Sequence, residues 1–178
     1  EKDGVIHATP ASEYPAWLKS ARQYENFDLS MEWFSKGWMD GGVYFAAPEH
    51  GIKSRCGFKV SLFHQVDKDP RTNSALSIFP VVAPKMVNVR PEWNALRVRM
   101  SWPKLQVWSD CQGMEPVSCE AHPELKYKLR RGYVGLESLS YPHRWRNIKI
   151  EPLPATEKWE SLFTSAADLE KWELTEVV

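Results

Sequence analysis

The chain has 178 residues, 43% of them hydrophobic, enough to bury a core without disulfides or metals to hold it together. Lys plus Arg and Asp plus Glu balance at 23 each and the sequence pI is about 7.2, so no long-range field draws nucleic acid or an anionic membrane. No stretch of about 18 consecutive apolar residues exists, which excludes a membrane-spanning helix.

The opening residues, Glu1-Lys-Asp-Gly4, carry neither an initiator Met nor the apolar core of a signal peptide, and read as a mature or excised segment. The first clear element is a strand over Phe27 to Phe34. Phe27, Leu29, Met31 and Trp33 alternate with Asp28, Ser30 and Glu32, the period of a half-buried strand. A strand over Gly42 to Ala46 follows, then one over Gly57 to Phe63. In the latter, Phe58, Val60 and Leu62 share one face and Lys59, Ser61 and Phe63 the other. Gln65 to Asn73 is polar, contains Pro70 and reads as an exposed loop. His64, Asp67 and Asp69 have the look of a cation cluster there, but one flexible loop does not fix a ligand geometry, and no metal site is assigned to them.

Further strands are expected over Ala75 to Phe79, Asn94 to Met100, Lys104 to Trp108, Tyr133 to Leu136 and Arg144 to Glu151. A second loop, Gln112 to Glu124, carries Pro116, Pro123 and Cys119. Helical signal is confined to Ser165 to Trp172, capped by Thr164 or Ser165 with Asp168 or Glu170 in its first turn. Many short strands bounded by Gly, Pro, Asn and Asp predict an all-β sandwich of two antiparallel sheets with little helix. Cys56, Cys111 and Cys119 are an odd number, allowing at most one bridge; none sits beside a second Cys or a His at zinc spacing, and they read as unpaired small apolar residues. Nine Trp is a high count, and aromatic rings not needed by the core are what stacks on the apolar faces of sugars.

Six segments in order then carry a resemblance: Asp3-Gly-Val-Ile6, Tyr24-Glu-Asn-Phe-Asp-Leu29, Asp40-Gly-Gly-Val-Tyr-Phe45, Pro91-Glu-Trp-Asn94, Gly132-Tyr-Val-Gly-Leu-Glu137 and Trp145-Arg-Asn-Ile-Lys-Ile150. Together they resemble the 3-keto-disaccharide hydrolase domain family. The resemblance implies a concanavalin-A-like jelly roll over residues 1–154, with saccharide chemistry on its concave sheet and a periplasmic or secreted setting. Trp159-Glu-Ser-Leu-Phe-Thr-Ser-Ala-Ala-Asp-Leu-Glu-Lys-Trp172 resembles that family's opening segment, so residues 155–178 are either the start of a further unit, the favoured expectation, or a tail that folds back to supply the first strand of the same sandwich in permuted order. A neighbouring domain of the same polypeptide is therefore an expected partner. Trp159, Leu162, Phe163, Leu169 and Trp172 should pack on the sandwich, since exposing them is costly.

The same resemblance marks where this chain departs. Relatives place a Glu where Lys59 stands, a Gln where Ser61 stands, an Arg where Ala46 stands and a Gln where Glu137 stands. Lys59 reverses the charge at the acid's position, so the family's acid/base role is not carried to it; a solvated or ion-paired lysine is expected there. Glu137 and Asp40 are the remaining catalytic candidates, and Tyr44, Lys59, Ser61, His50 and His143 the candidate saccharide-binding residues. Arg146 is expected to pair with a carboxylate and Asn147 to tie the backbone of a neighbouring strand. No cofactor is predicted, although elimination from a 3-keto sugar needs one base and accommodates a divalent metal. Two functions stay open: a hydrolase or lyase of 3-keto glycosides, and a non-catalytic saccharide-binding or interaction module in the same fold.

Overall fold

A computed structural model describes residues 3–8, 16–34, 40–63, 76, 78–79, 89–109, 112–113, 115–139, 141–156 and 165–172. His64, Asp67, Asp69, Cys111, Trp159, Leu162 and Phe163 lie outside the described residues.

Among the described residues twelve strands run in chain order: β1 (Ile6–Ala8), β2 (Ala16–Tyr24), β3 (Phe27–Phe34), β4 (Asp40–Ala47), β5 (Phe58–Phe63), β6 (Ile78–Phe79), β7 (Trp93–Ser101), β8 (Lys104–Ser109), β9 (Gln112–Gly113), β10 (Val117–Ser118), β11 (Gly132–Ser138) and β12 (His143–Pro152). One helical turn, α1 (Lys53–Cys56), lies between β4 and β5. The strands form two antiparallel sheets. A seven-stranded sheet has the order β1-β12-β3-β7-β8-β10, with β9 also paired to β8, and a five-stranded sheet has the order β2-β11-β4-β5-β6. The expected jelly-roll sandwich is what the chain forms.

The alternation read from sequence becomes the core. Phe27, Leu29, Met31 and Trp33 of β3 face Val43 and Phe45 of β4 and Phe58, Val60 and Leu62 of β5, all 3% exposed or less. Phe45 stacks on Phe58 with ring centroids 5.1 Å apart, and Phe27 meets Phe45 edge-on at 5.6 Å. Each such side chain contributes about 1.5–3 kcal/mol by leaving water. The Glu-Trp-Asn segment before β7 is a clamp. Asn94 is buried, its Oδ1 accepting from the Arg90 amide at 2.9 Å and its Nδ2 donating to the Arg90 and Glu92 carbonyls at 3.0 and 2.9 Å.

Lys128 fixes α1 against the loop that leads into β11. Its ammonium donates to the carbonyls of Ser54, Arg55 and Gly57 at 2.6, 3.2 and 2.8 Å, the orphan acceptors of a helix C-terminus. Burial lowers its pKa from the ordinary lysine value. Lys128→Met keeps the stem and removes the donor, and should lower unfolding stability by about 2–3 kcal/mol in a urea titration.

At the C-terminus, Ala166–Lys171 forms the expected short helix, of 3-10 type, with the Ser165 amide donating to the Asp168 carboxylate at 3.1 Å. Leu169 and Trp172, expected to pack on the sandwich, are 59% and 57% exposed. Cys56 and Cys119 are free thiols; Cys119 is buried, which pushes its pKa up to about 12 and makes it unreactive.

Candidate functional site

Alternation along four neighbouring strands brings polar side chains to the outer face of the five-stranded sheet. β4 supplies Asp40, Gly42 and Tyr44, β5 supplies Lys59, Ser61 and Phe63, β11 supplies Glu137, and β2 supplies Trp17 and Lys19. The register sets Glu137 opposite Trp17 on one side and Gly42 on the other, Gly42 opposite Ser61, and Tyr44 opposite Lys59. Two glycines make the floor. A Cβ on Gly42 would lie 2.6 Å from Lys59 Cε, so the lysine stem crosses the bare backbone on its way to β11; a Cβ on Gly135 would collide with Cε3 of Trp17, whose indole lies across that residue.

The result is a small closed network. Lys59 Nζ lies 2.6 Å from Glu137 Oε2, with the two side chains only 12% and 5% exposed. The Tyr44 hydroxyl donates to Glu137 Oε1. Burial, together with the Glu137 carboxylate beside it and Asp40 further along β4, holds the Tyr44 phenol far above the ordinary tyrosine value, so it is a permanent donor. Glu137 therefore has one oxygen on a phenol and the other on an ammonium.

Around this network lie aromatic edges and a second ion pair. Trp17 meets Tyr44 and Tyr133 edge-on at 6.2 and 6.5 Å. Lys19 pairs with Glu49 at 3.0 Å and its ammonium sits 4.0 Å from the Tyr133 ring centre. Lys53 lies 4.8 Å from the Trp17 ring centre.

Of the residues expected to bind or react, the structure thus gathers Asp40, Tyr44, Lys59, Ser61 and Glu137 on one face. Lys59, expected to be either solvated or ion-paired, is ion-paired, and its partner is Glu137. His50 lies apart, exposed in the turn after β4 beside Glu49. His143 is not on this face. It begins β12, is 1% exposed, packs edge-on against Trp145 at 5.4 Å and sits under Gly41 on the inner side of the sheet. Its Nε2–H donates to the Asp40 carbonyl at 2.7 Å, since a carbonyl can only accept, and its Nδ1 has no partner.

Sequence patterning gives no strand for Ala16–Tyr24 and so misses Trp17. Ala-Trp-Leu-Lys-Ser-Ala-Arg lacks both alternation and β-branched residues, and the available signal was the glycine of Gly-Leu-Glu, which leaves room for a neighbour's ring.

His143 carries a pH dependence. Burial lowers its pKa from 6.5 to about 4, so between those values the unfolded chain binds a proton that the folded chain does not. Stability is then complete above about pH 6.5 and falls as the pH drops toward 4, by on the order of 3 kcal/mol. Urea midpoints at pH 7 and pH 4.5 should show this loss, and His143→Gln should flatten it.

In chemical terms the face offers hydrogen-bond donors and acceptors beside the half-buried rings of Trp17 and Tyr133. Asp40 and Glu137 are diagonal neighbours, a spacing of about 7–8 Å between backbones, so two carboxyls are within range of a glycosidic bond. A glycosidase nonetheless needs one carboxyl protonated and the other facing substrate, and Glu137 is committed to Lys59 and Tyr44. Among the described residues no three His, Cys, Asp or Glu side chains converge as a metal site requires.

Comparison with known proteins follows the same lines. Residues 1–151 match the family described as 3-keto-alpha-glucoside-1,2-lyase-like domain. No curated protein sequence matches. Among solved structures, a proposed glycosyl hydrolase from Parabacteroides distasonis superposes with a TM-score of 0.74 at 17% identity, over 86% of this chain and 89% of that one. The carbohydrate-binding module CBM66 of Bacillus subtilis gives 0.56 at 14% identity, over 83% and 95%. The exoplasmic/lumenal domain of VIP36, solved with Ca2+ and mannose, gives 0.54 at 13% identity, over 90% and 82%. At these identities the likeness is one of fold.

Proposed function

Because the chain belongs to the 3-keto-alpha-glucoside-1,2-lyase-like domain family, we propose that it engages a saccharide on the outer face of the five-stranded sheet, as a binding surface rather than as a site of proton transfer. The observation that carries this reading is the commitment of Glu137. Its carboxylate is 5% exposed at the side chain, with one oxygen on the Lys59 ammonium and the other on the Tyr44 hydroxyl, so both oxygens are already engaged. The same contacts make it a rigid support. Tyr44, Ser61 and the Lys59 ammonium are fixed in place to meet sugar hydroxyls, and the Trp17 ring offers an apolar plane for a pyranose face.

A second reading rests on Asp40. It is the half-buried carboxylate of this face, diagonal to the network, and elimination from a 3-keto sugar needs a single base next to the ketone. A periplasmic or secreted location and a neighbouring domain of the same polypeptide belong to the proposal as well, on the family resemblance; no helix among the described residues is long and apolar enough to cross a membrane.

Incubation with a 3-keto disaccharide separates the two. The binding reading predicts no monosaccharide release above the buffer rate. Release that Asp40→Asn abolishes would establish the lyase reading in its place.

A further inference from the structure

The other sheet carries a groove of its own. It occupies about 770 Å³ on the outer face of the seven-stranded sheet, a size suited to a small ligand. Its floor is recessed because two small residues, Ser30 of β3 and Ala95 of β7, sit where their neighbours carry long side chains. Across it runs one register row, Lys149 opposite Ser30, Ser30 opposite Arg97 and Arg97 opposite Trp108, spanning β12, β3, β7 and β8.

One wall is built by an irregularity that the Trp-Arg-Asn-Ile motif encodes. The pairing of β12 with β3 slips between Arg146 and Lys149, and Asn147 takes a left-handed backbone conformation, φ 53°. In a regular strand Arg146 and Asn147 would point to opposite faces; the bulge aims both at Glu32. Arg146 holds Glu32 through two bonds, at 2.9 and 3.2 Å, and Asn147 Nδ2 donates to the same carboxylate. Arg146 is paired with a carboxylate as expected, whereas Asn147 binds that side chain and not a neighbouring backbone. Opposite, Arg97 grips Asp28 through two bonds of 2.7 and 2.6 Å and lies 5.2 Å from the Trp108 ring centre. These guanidinium groups hold both carboxyls below the ordinary range, so both pairs are ionised at neutral pH. Among the described residues, pairing Asp28 with Arg97 and Glu32 with Arg146, and setting Arg99, 3.9 Å from Asp28, against Glu151, which faces Asp28 across the strands, leaves one positive charge in excess, that of Lys149.

From this arrangement we propose that the groove is a second saccharide site, distinct from the face around Glu137 and selective for an anionic oligosaccharide such as a chain of uronates. Fixed amide and guanidinium groups meet hydroxyls, the Trp108 indole meets a ring face, and Lys149 with Arg97 meets the sugar carboxylate. Lys149 and Trp108 stand three strand spacings apart, roughly 14 Å, so the ligand that touches both is an oligosaccharide and not a single sugar.

Tetragalacturonate and cellotetraose, titrated calorimetrically into the intact chain at low salt, test this. Tetragalacturonate should bind saturably, weaken as salt rises, and bind at least tenfold more weakly to Lys149→Glu and to Trp108→Ala. It should bind Trp17→Ala as well as the parent, which separates this site from the one on the five-stranded sheet. Should Trp108→Ala fail to fold, the exposed Lys149→Glu still decides the matter. Absence of saturable binding, equal binding of cellotetraose, or an undiminished Lys149→Glu would overturn the proposal.

Discussion

Lys59→Met should destabilise the domain by about 3–5 kcal/mol, the loss expected when one partner of a buried ion pair is removed and the other is left in place. The size follows from the setting. Glu137 is sunk to 5% side-chain exposure, and the Lys59 ammonium lies 2.6 Å from it, its stem crossing the bare backbone of Gly42. Glu137→Gln should cost less, about 1–2 kcal/mol, because the amide still accepts from Tyr44 while Lys59, at 12% exposure, is long enough to turn its ammonium toward solvent. The double variant Lys59→Met/Glu137→Gln removes both charges together. It should recover much of the loss, with a coupling of at least about 1 kcal/mol in the double-mutant cycle. Urea unfolding read by tryptophan fluorescence measures all three. A loss under 1 kcal/mol for Lys59→Met would mean that the pair is solvated and the network does not hold the face together.

The second large effect concerns binding. Trp17→Ala should weaken saccharide binding at least tenfold, the loss expected of a central aromatic contact, while changing stability little. Its strand is the edge of the five-stranded sheet, and its half-buried ring lies over Gly135 with the Lys53 ammonium 4.8 Å from the ring centre. The indole is thus placed by backbone contact and not by the core, which is why truncation should spare the fold. Calorimetric titration of a neutral disaccharide into parent and variant reads the effect, and thermal unfolding of both controls for structure. Equal affinities would remove Trp17 from the site.

These two expectations show where sequence reading reaches and where it stops. The strand Phe27 to Phe34 was legible to the residue because its alternation is strict and one face is wholly buried. Lys59 and Glu137 were each legible as departures from a family pattern, but they lie 78 positions apart, on strands separated by β4, and only the register reveals that one departure compensates the other. His143 shows the converse. A histidine at the start of a strand reads as available for chemistry, and which face it takes depends on pairing with Ala8 and packing on Trp145, neither of which leaves a local signal. Asn147 was hidden by the assumption of regular alternation, since a bulge shifts every later side chain to the other face.

The most direct test is a titration of the isotope-labelled chain with a 3-keto disaccharide, following backbone amides and sugar signals together by NMR. Binding on this face without chemistry predicts saturable shifts centred on Trp17, Gly42, Tyr44, Lys59 and Glu137, with the sugar intact at the end. Release of a monosaccharide at a rate set by the protein, or shifts that leave these residues unmoved, would contradict it.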